Sequence, residues 1–158
     1  IGTWFAFGTG AMTICVWVYV SASETARSII SKYTTWPSDV DLHWYLTTVH
    51  QLSVRFMPST SFPHSLASSA LTTGAWHFAA LTKTDGGVYT LYVDGVSVRT
   101  ATNANTQTNN KSTLVIGCVS ESTPNEYFDS NIKDLMIFKG KALTQDQIAA
   151  IMAETYIY

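Results

Sequence analysis

The sequence predicts an all-β fold, two antiparallel sheets packed face to face with a short C-terminal helix, and three observations carry that expectation. First, residues 76–100 hold three apolar, strand-like runs separated by Asp85-Gly86-Gly87 and by Asp94-Gly95. Asp-Gly suits a two-residue type I′ turn, because both central positions need φ > 0 and these residues tolerate it. The segment therefore reads as a three-stranded antiparallel meander. Second, the other apolar runs are short, β-branched and aromatic, and they end in clusters of Gly, Pro, Ser and Asn. Third, helix chemistry is concentrated at the C-terminal end, where Thr144 and Gln147 stand at capping-box spacing and Leu143 and Ile148 at that of a hydrophobic staple. Alternating strands each offer one apolar face, and two twisted sheets bury those faces against one another.

In chain order, residues 3–7 form a short aromatic strand, residues 8–10 a turn, and residues 12–20 a run whose lack of alternation marks a strand buried on both faces. Residues 28–33 follow as a strand. Residues 34–42, with Pro37, Asp39 and Asp41, read as a loop. Residues 43–48 and 51–57 alternate well enough for a hairpin, and residues 58–69, dense in Ser and Pro, read as a loop leading to the meander. The Asn/Thr/Gln tract at 103–112 carries little apolar area to offset ordering entropy, so it is a long turn or loop. Residues 113–119 make a strand, 120–130 a polar loop and 131–139 the last strand, ended by Gly140. The helix runs over 144–154, with Ile148, Ile151 and Met152 toward the sheet.

A chain of 158 residues is large enough to bury a core as one domain without disulfide or metal staples. Its net charge is −2 and its nine basic residues are scattered, so nucleic acid and anionic lipid find no electrostatic footprint. The longest apolar run falls short of the roughly 18 residues of a membrane-spanning helix, which excludes helical membrane insertion as a reading. Charged residues make up only 13 %, so solubility rests on hydroxyls and amides, a balance that suits an extracellular β module. The chain opens at Ile1 with no basic, apolar leader, and it is expected to be a piece excised from a larger protein. Cys15 and Cys118 sit in strands as small buried hydrophobes; a disulfide between them stays open, and no CxxC spacing supports a metal.

Several segments resemble the laminin-G-like, or concanavalin A-like, jelly rolls of the lectin and glucanase group, to which the pentraxins are related. Gly74-Ala-Trp-His-Phe-Ala-Ala leads through a turn to Leu91-Tyr-Val-Asp-Gly; Met12-Thr-Ile-Cys-Val-Trp-Val is similar to the family's second strand; Ile30-Ser-Lys matches a later one. Residues 131–139 are similar to the closing strand, and Ala142-Leu-Thr to the segment after it, so the resemblance covers nearly the whole chain. It implies a jelly-roll sandwich that binds ligands rather than transforming them. It also implies a structural hydrogen bond for His77 at the sheet end, and for Asp134 the role of an acceptor in the closing strand.

The residues themselves argue against catalysis. A glycosidase needs two carboxylates across a cleft at roughly 5 to 9.5 Å, whereas Glu24, Glu121, Glu126 and Glu154 all fall in loops or the helix, and the family's Glu-x-Asp-x-x-Glu signature is absent. His43, His50, His64 and His77 lack zinc spacing and accompany no Gly-x-Ser-x-Gly elbow. Calcium wants oxygen ligands from several loops. Asp39, Asp41, Glu121 and Glu126 are the candidates, in two loops like those that hold calcium in pentraxins, against the plainer reading that they are solvated loop acids. A sugar site needs a rigid aromatic face beside polar groups. Tyr33, Trp36 and Trp44 flank the loop that carries Asp39, Asp41 and His43, and Tyr127 joins from the second acidic loop. Trp4, Trp17 and Trp76 are expected in the core, and Trp44 is core as readily as platform. The reading is a non-catalytic carbohydrate-binding module on a secreted, cell-surface or virion-surface protein. Its rival is a protein-docking module of a larger assembly.

Overall fold

The structure, a computed structural model, describes residues 8, 10–22, 25–35, 39–56, 64–102, 113–119 and 126–155, with the backbone alone at 33–35, 39, 40, 56 and 64. These residues form two five-stranded antiparallel sheets, a jelly-roll sandwich, and one helix. The first sheet has the order β10 (Ile132–Lys139), β1 (Met12–Val20), β6 (Ala75–Lys83), β7 (Val88–Val93), β8 (Val96–Thr102). The second has the order β5 (His64–Ala70), β4 (Gln51–Phe56), β3 (Asp39–Leu46), β2 (Arg27–Thr35), β9 (Val115–Ile116). Helix α1 spans Gln145–Thr155.

Alternation along the strands sends every second side chain into the space between the sheets. Ile14, Val16, Val18, Ala79, Leu81, Tyr89 and Leu91 come from the first sheet; Ile30, Leu42, Trp44, Leu46, Leu52, Val54 and Leu66 come from the second. The other phase of the first sheet, Cys15, Trp17, Phe78, Ala80 and Tyr92, lies under α1 and packs with Leu143 and Ile148. The unbroken apolar run of β1 is thus explained: one face meets the second sheet and the other meets the helix. Thr144 and Gln147 exchange the capping-box bonds, Gln147 N–H donating to Thr144 Oγ1 at 3.3 Å and Thr144 N–H to Gln147 Oε1 at 3.1 Å.

The meander forms as β6–β7–β8, and Asp94 and Gly95 sit at φ 50° and 79°, as a type I′ turn requires. Asp94 does more than turn the chain. Its Oδ1 accepts from Phe78 N–H at 2.9 Å, and its Oδ2 lies 2.8 Å from His77 Nδ1, while His77 Nε2 meets the Thr72 carbonyl at 3.0 Å. The structural hydrogen bond expected of His77 at the sheet end is therefore present. Asp134 lies at φ 52° where the β1–β10 register shifts, so its role is to form a bulge, a position its short polar side chain tolerates.

Four expectations need correction. Residues 64–70 are an edge strand, not a loop, because an edge needs apolar side chains on one face only and Leu66 supplies the buried contact. The segment 34–42 is mostly strand: β2 runs to Thr35 and β3 starts at Asp39, pairing antiparallel across a three-residue connection. Of residues 113–119, only Val115–Ile116 forms a ladder, because Gly117 at φ 78° turns the chain out of it. Trp76 is 36 % exposed, not core, because it lies on the outer face of the first sheet beyond the cover of α1. Cys15 is buried and Cys118 partly so, and both are free thiols. The strand expected at 3–7, with Trp4, and the tract at 103–112 lie outside the described residues.

Candidate functional site

The outer face of the second sheet carries the candidate site, and register explains its chemistry. Cross-strand partners line up as Ser31, His43, Arg55 and Ser65 in one row and Ser28, Tyr45, Ser53 and Ala67 in the next. The intervening row, Ile30, Trp44, Val54 and Leu66, points into the core. One face of this sheet is thus apolar and the other is built of hydroxyl, imidazole, phenol and guanidinium groups.

These groups are ordered against one another. The His43 and Tyr45 rings stack with centroids 4.5 Å apart and planes 20° from parallel. The Arg55 guanidinium lies 4.6 Å from the Tyr45 ring centroid, within cation–π range. Glu126 stands at the edge with Oε2 at 3.7 Å from His43 Nε2. Its segment is fixed by Ser28 N–H donating to the Glu126 carbonyl at 2.9 Å, and its backbone sits at φ 47°. Next to it Tyr127 is exposed. Burial, then the Arg55 charge, hold the His43 imidazole down at about 4, so the ring is neutral at pH 7. Its contact with Glu126 is accordingly a proximity and not an ion pair. At neutral pH the site presents a partly exposed guanidinium and an exposed carboxylate, over stacked rings that are themselves buried, His43 being 3 % and Tyr45 7 % exposed. That set suits binding of a hydroxylated or anionic ligand.

The expected site residues divide. His43, Glu126 and, beside Glu126, Tyr127 come together on or beside this face. Two do not. Trp44 is wholly buried in the core, because its phase is that of Leu42 and Leu46, so it offers no stacking face. Asp41 is buried, with Oδ2 accepting from Lys32 Nζ at 2.5 Å, and it lies near enough to Tyr89 to add to the effect of burial in pushing that phenol up. This buried pair is a feature of the interior rather than a ligand set. Tyr33 and Asp39 lie in β2 and β3 with the backbone alone described, and Trp36 and Glu121 lie outside the described residues. With Asp41 turned inward, no group of three or more acidic, His or Cys side chains that could hold a metal occurs among the described residues, so these residues by themselves do not fit calcium. Arg55 and Tyr45 were not anticipated. Their signal was the alternation of β3 and β4, which places 43, 45, 53 and 55 on one face.

A model of the concanavalin A-like lectin/glucanases superfamily matches residues 2–149. No curated protein matches the chain in sequence. Among solved structures, the carbohydrate-binding module CBM40 of the Ruminococcus gnavus IT-sialidase, bound to α2,3-sialyllactose, is similar at TM-score 0.74 and 16 % identity, over 90 % of this chain and 83 % of that one. The ligand-binding domain of botulinum neurotoxin serotype D, in complex with N-acetylneuraminic acid, is similar at TM-score 0.71 and 18 % identity, over 94 % of this chain and 37 % of that one. The heptameric SAP-like pentraxin from Limulus polyphemus is similar at TM-score 0.65 and 17 % identity, over 92 % and 72 %. At these identities the likeness is one of fold.

Proposed function

The chain belongs to the concanavalin A-like lectin/glucanase superfamily, and from that premise we propose that it is a non-catalytic, lectin-like module that binds an acidic saccharide on the outer face of the second sheet. The observation that carries this reading is the Arg55 guanidinium, set on the Tyr45 ring beside neutral His43 and exposed Glu126. A fixed guanidinium pairs with a carboxylate in two parallel hydrogen bonds, while the exposed Glu126 carboxylate and Ser65 hydroxyl read hydroxyls. The sialoside complexes of two proteins that share the fold support the choice of an acidic sugar. Against catalysis stands the shortage of carboxylates: among the described residues of this face Glu126 stands alone, and a glycosidase needs two. The module acts outside the cell, as part of a larger secreted, cell-surface or virion-surface protein.

The rival reading, a protein-docking module, has an observation of its own in edge strand β8, where Val96 is 57 % and Val98 39 % exposed. A glycan array of the purified chain separates the two. Signal on sialylated or uronic-acid glycans, reduced about tenfold to a hundredfold by Arg55→Ala, supports the saccharide reading. A silent array, or binding indifferent to Arg55, overturns it. The same array run in EDTA tests calcium: a signal lost there calls for a ligand set drawn from Glu126 with Asp39 and Glu121.

A further inference from the structure

The outer face of the first sheet holds a groove that the Arg55 patch does not use. Trp17, Trp76, Asp94, Met152 and Ala153 line a cavity of about 510 Å³, within the range of small-molecule sites. Helix α1 covers Phe78 and Ala80 but not the next row, Tyr19 and Trp76, which are cross-strand partners. Trp76 is therefore left 36 % exposed at the groove.

We propose that this groove is a second saccharide site, one that takes a neutral pyranose stacked on Trp76. The indole is ordered before any ligand arrives: the Tyr19 ring meets it nearly edge-on at 5.7 Å and 68°, and the Lys133 ammonium lies 5.3 Å from its centroid and 5.4 Å from that of Trp17. A platform already fixed costs little entropy on binding. Trp17 is fixed too, its Nε1–H donating to Thr155 Oγ1 at 2.8 Å. Hydroxyl-reading groups stand at the rim. The Asp94 carboxylate is held by Phe78 N–H and His77 yet half exposed, which leaves lone pairs to accept from a sugar hydroxyl. Lys133 supplies a donor.

Charge selects the class of sugar. Two carboxylates, Asp94 and Asp134, stand against the ammonium of Lys133, which already faces two indoles and lies 3.9 Å from Asp134, so the rim carries no excess of positive charge. An acidic sugar gains nothing here and is repelled by Asp94. A flat apolar protein surface would strip both rim charges of water without replacing it, whereas hydroxyls replace that water. The proposal rests on the saccharide-binding reading of the module but on a separate set of residues, so the two fail separately.

The test is NMR titration of the ¹⁵N-labelled chain with lactose, maltose, cellobiose and 3′-sialyllactose. The expected result is a saturable shift of the Trp76 indole N–H with at least one neutral disaccharide. Trp76→Ala weakens that binding by about tenfold, the loss of one stacking face, Trp76→Phe restores part of it, and Arg55→Ala leaves it unchanged. Lys133→Gln, which leaves the platform in place, weakens it if Trp76→Ala does not fold. Three results overturn the proposal: no neutral disaccharide moves the Trp76 signal, binding followed on the backbone amides of Asp94 and Ala153 survives both Trp76→Ala and Lys133→Gln, or sedimentation shows an oligomer that Trp76→Ala dissolves. If sialyllactose shifts Arg55 neighbours while the neutral sugars leave Trp76 still, the first reading stands and this one falls.

Discussion

Burial and the neighbouring Arg55 hold the His43 imidazole at about 4, against 6.5 in an unfolded chain. The folded value lies below the unfolded one, so the stability tied to the neutral ring is complete above pH 6.5, declines as pH falls, and is lost through about pH 4. The amount at stake is about 3 kcal/mol. Urea denaturation across this interval should show the loss, and His43→Gln should flatten it; an unchanged slope in the variant would place the acid sensitivity elsewhere. The tryptophans separate by the same logic of burial. Trp44→Ala empties a fully buried position and should cost about 3 to 5 kcal/mol, whereas Trp76→Ala, at a position more than a third exposed, should cost about 1 kcal/mol. The reverse order in denaturation midpoints would mean that the core and the surface groove have been exchanged. Trp44 stands between core and platform in the sequence, because Leu42, which shares its phase with Leu46 and decides the matter, reads there as part of a loop. Trp76 reads as core and is not, because alternation tells which side chains share a face but not how far a distant helix extends over it.

Where a turn carried its own chemistry, the element was legible. The meander, the capping box and the His77 bond all rest on residues close in sequence. Edge strands were the failure: β5 reads His-Ser-Leu-Ala-Ser-Ser-Ala and is held by pairing with β4 rather than by its own propensity. The candidate site suffered in the same way, since its two rows are assembled from four strands, with a returning segment at 126–127 beside them. His43, Glu126 and Tyr127 could be picked singly, but Arg55 becomes significant only when register sets it against His43. The Asp94-Gly95 turn shows how an element is locked. Asp94 holds φ 50°, accepts from Phe78 N–H and meets His77, while Gly95 lies at φ 79° with Met152 Cε at 3.4 Å from the place of a Cβ. Asp94→Ala removes two hydrogen bonds and strains the backbone, and should cost about 2 to 3 kcal/mol. Asp94→Asn keeps the turn and an acceptor, and should cost less than half of that in thermal or urea denaturation.

The molecule has one core between its sheets and a second beneath α1, and the outer faces of the two sheets differ in chemistry. The second sheet's outward phase is polar, Ser, His, Tyr and Arg, and although His43, Tyr45 and the serines at 28, 31 and 53 are buried, Arg55 is partly exposed and Ser65 exposed; the first presents aromatics, most of which the helix must hide. That division predicts that α1 is a cover and not part of the foundation. Its packing on the sandwich rests on Ile148, Leu143 and neighbouring apolar side chains over Cys15, Phe78 and Ala80, while the 17 residues that are buried between the sheets among the described residues do not include any from the helix. Cys15 reports on the cover. It is wholly buried, and burial pushes its thiol up to about 12, so the reactive thiolate is scarce and inaccessible at neutral pH. In a Cys118→Ser background, Cys15 should resist a disulfide reagent such as DTNB until the protein is denatured. Ile148→Asp places a charge among apolar side chains in a wholly buried position and should lift the helix, making Cys15 reactive under native conditions. The strand signal in far-UV circular dichroism should survive, because the inter-sheet core is untouched. If Ile148→Asp instead unfolds both sheets together, the helix is part of a single cooperative core, and the groove at its end is set by the folding of the whole sandwich.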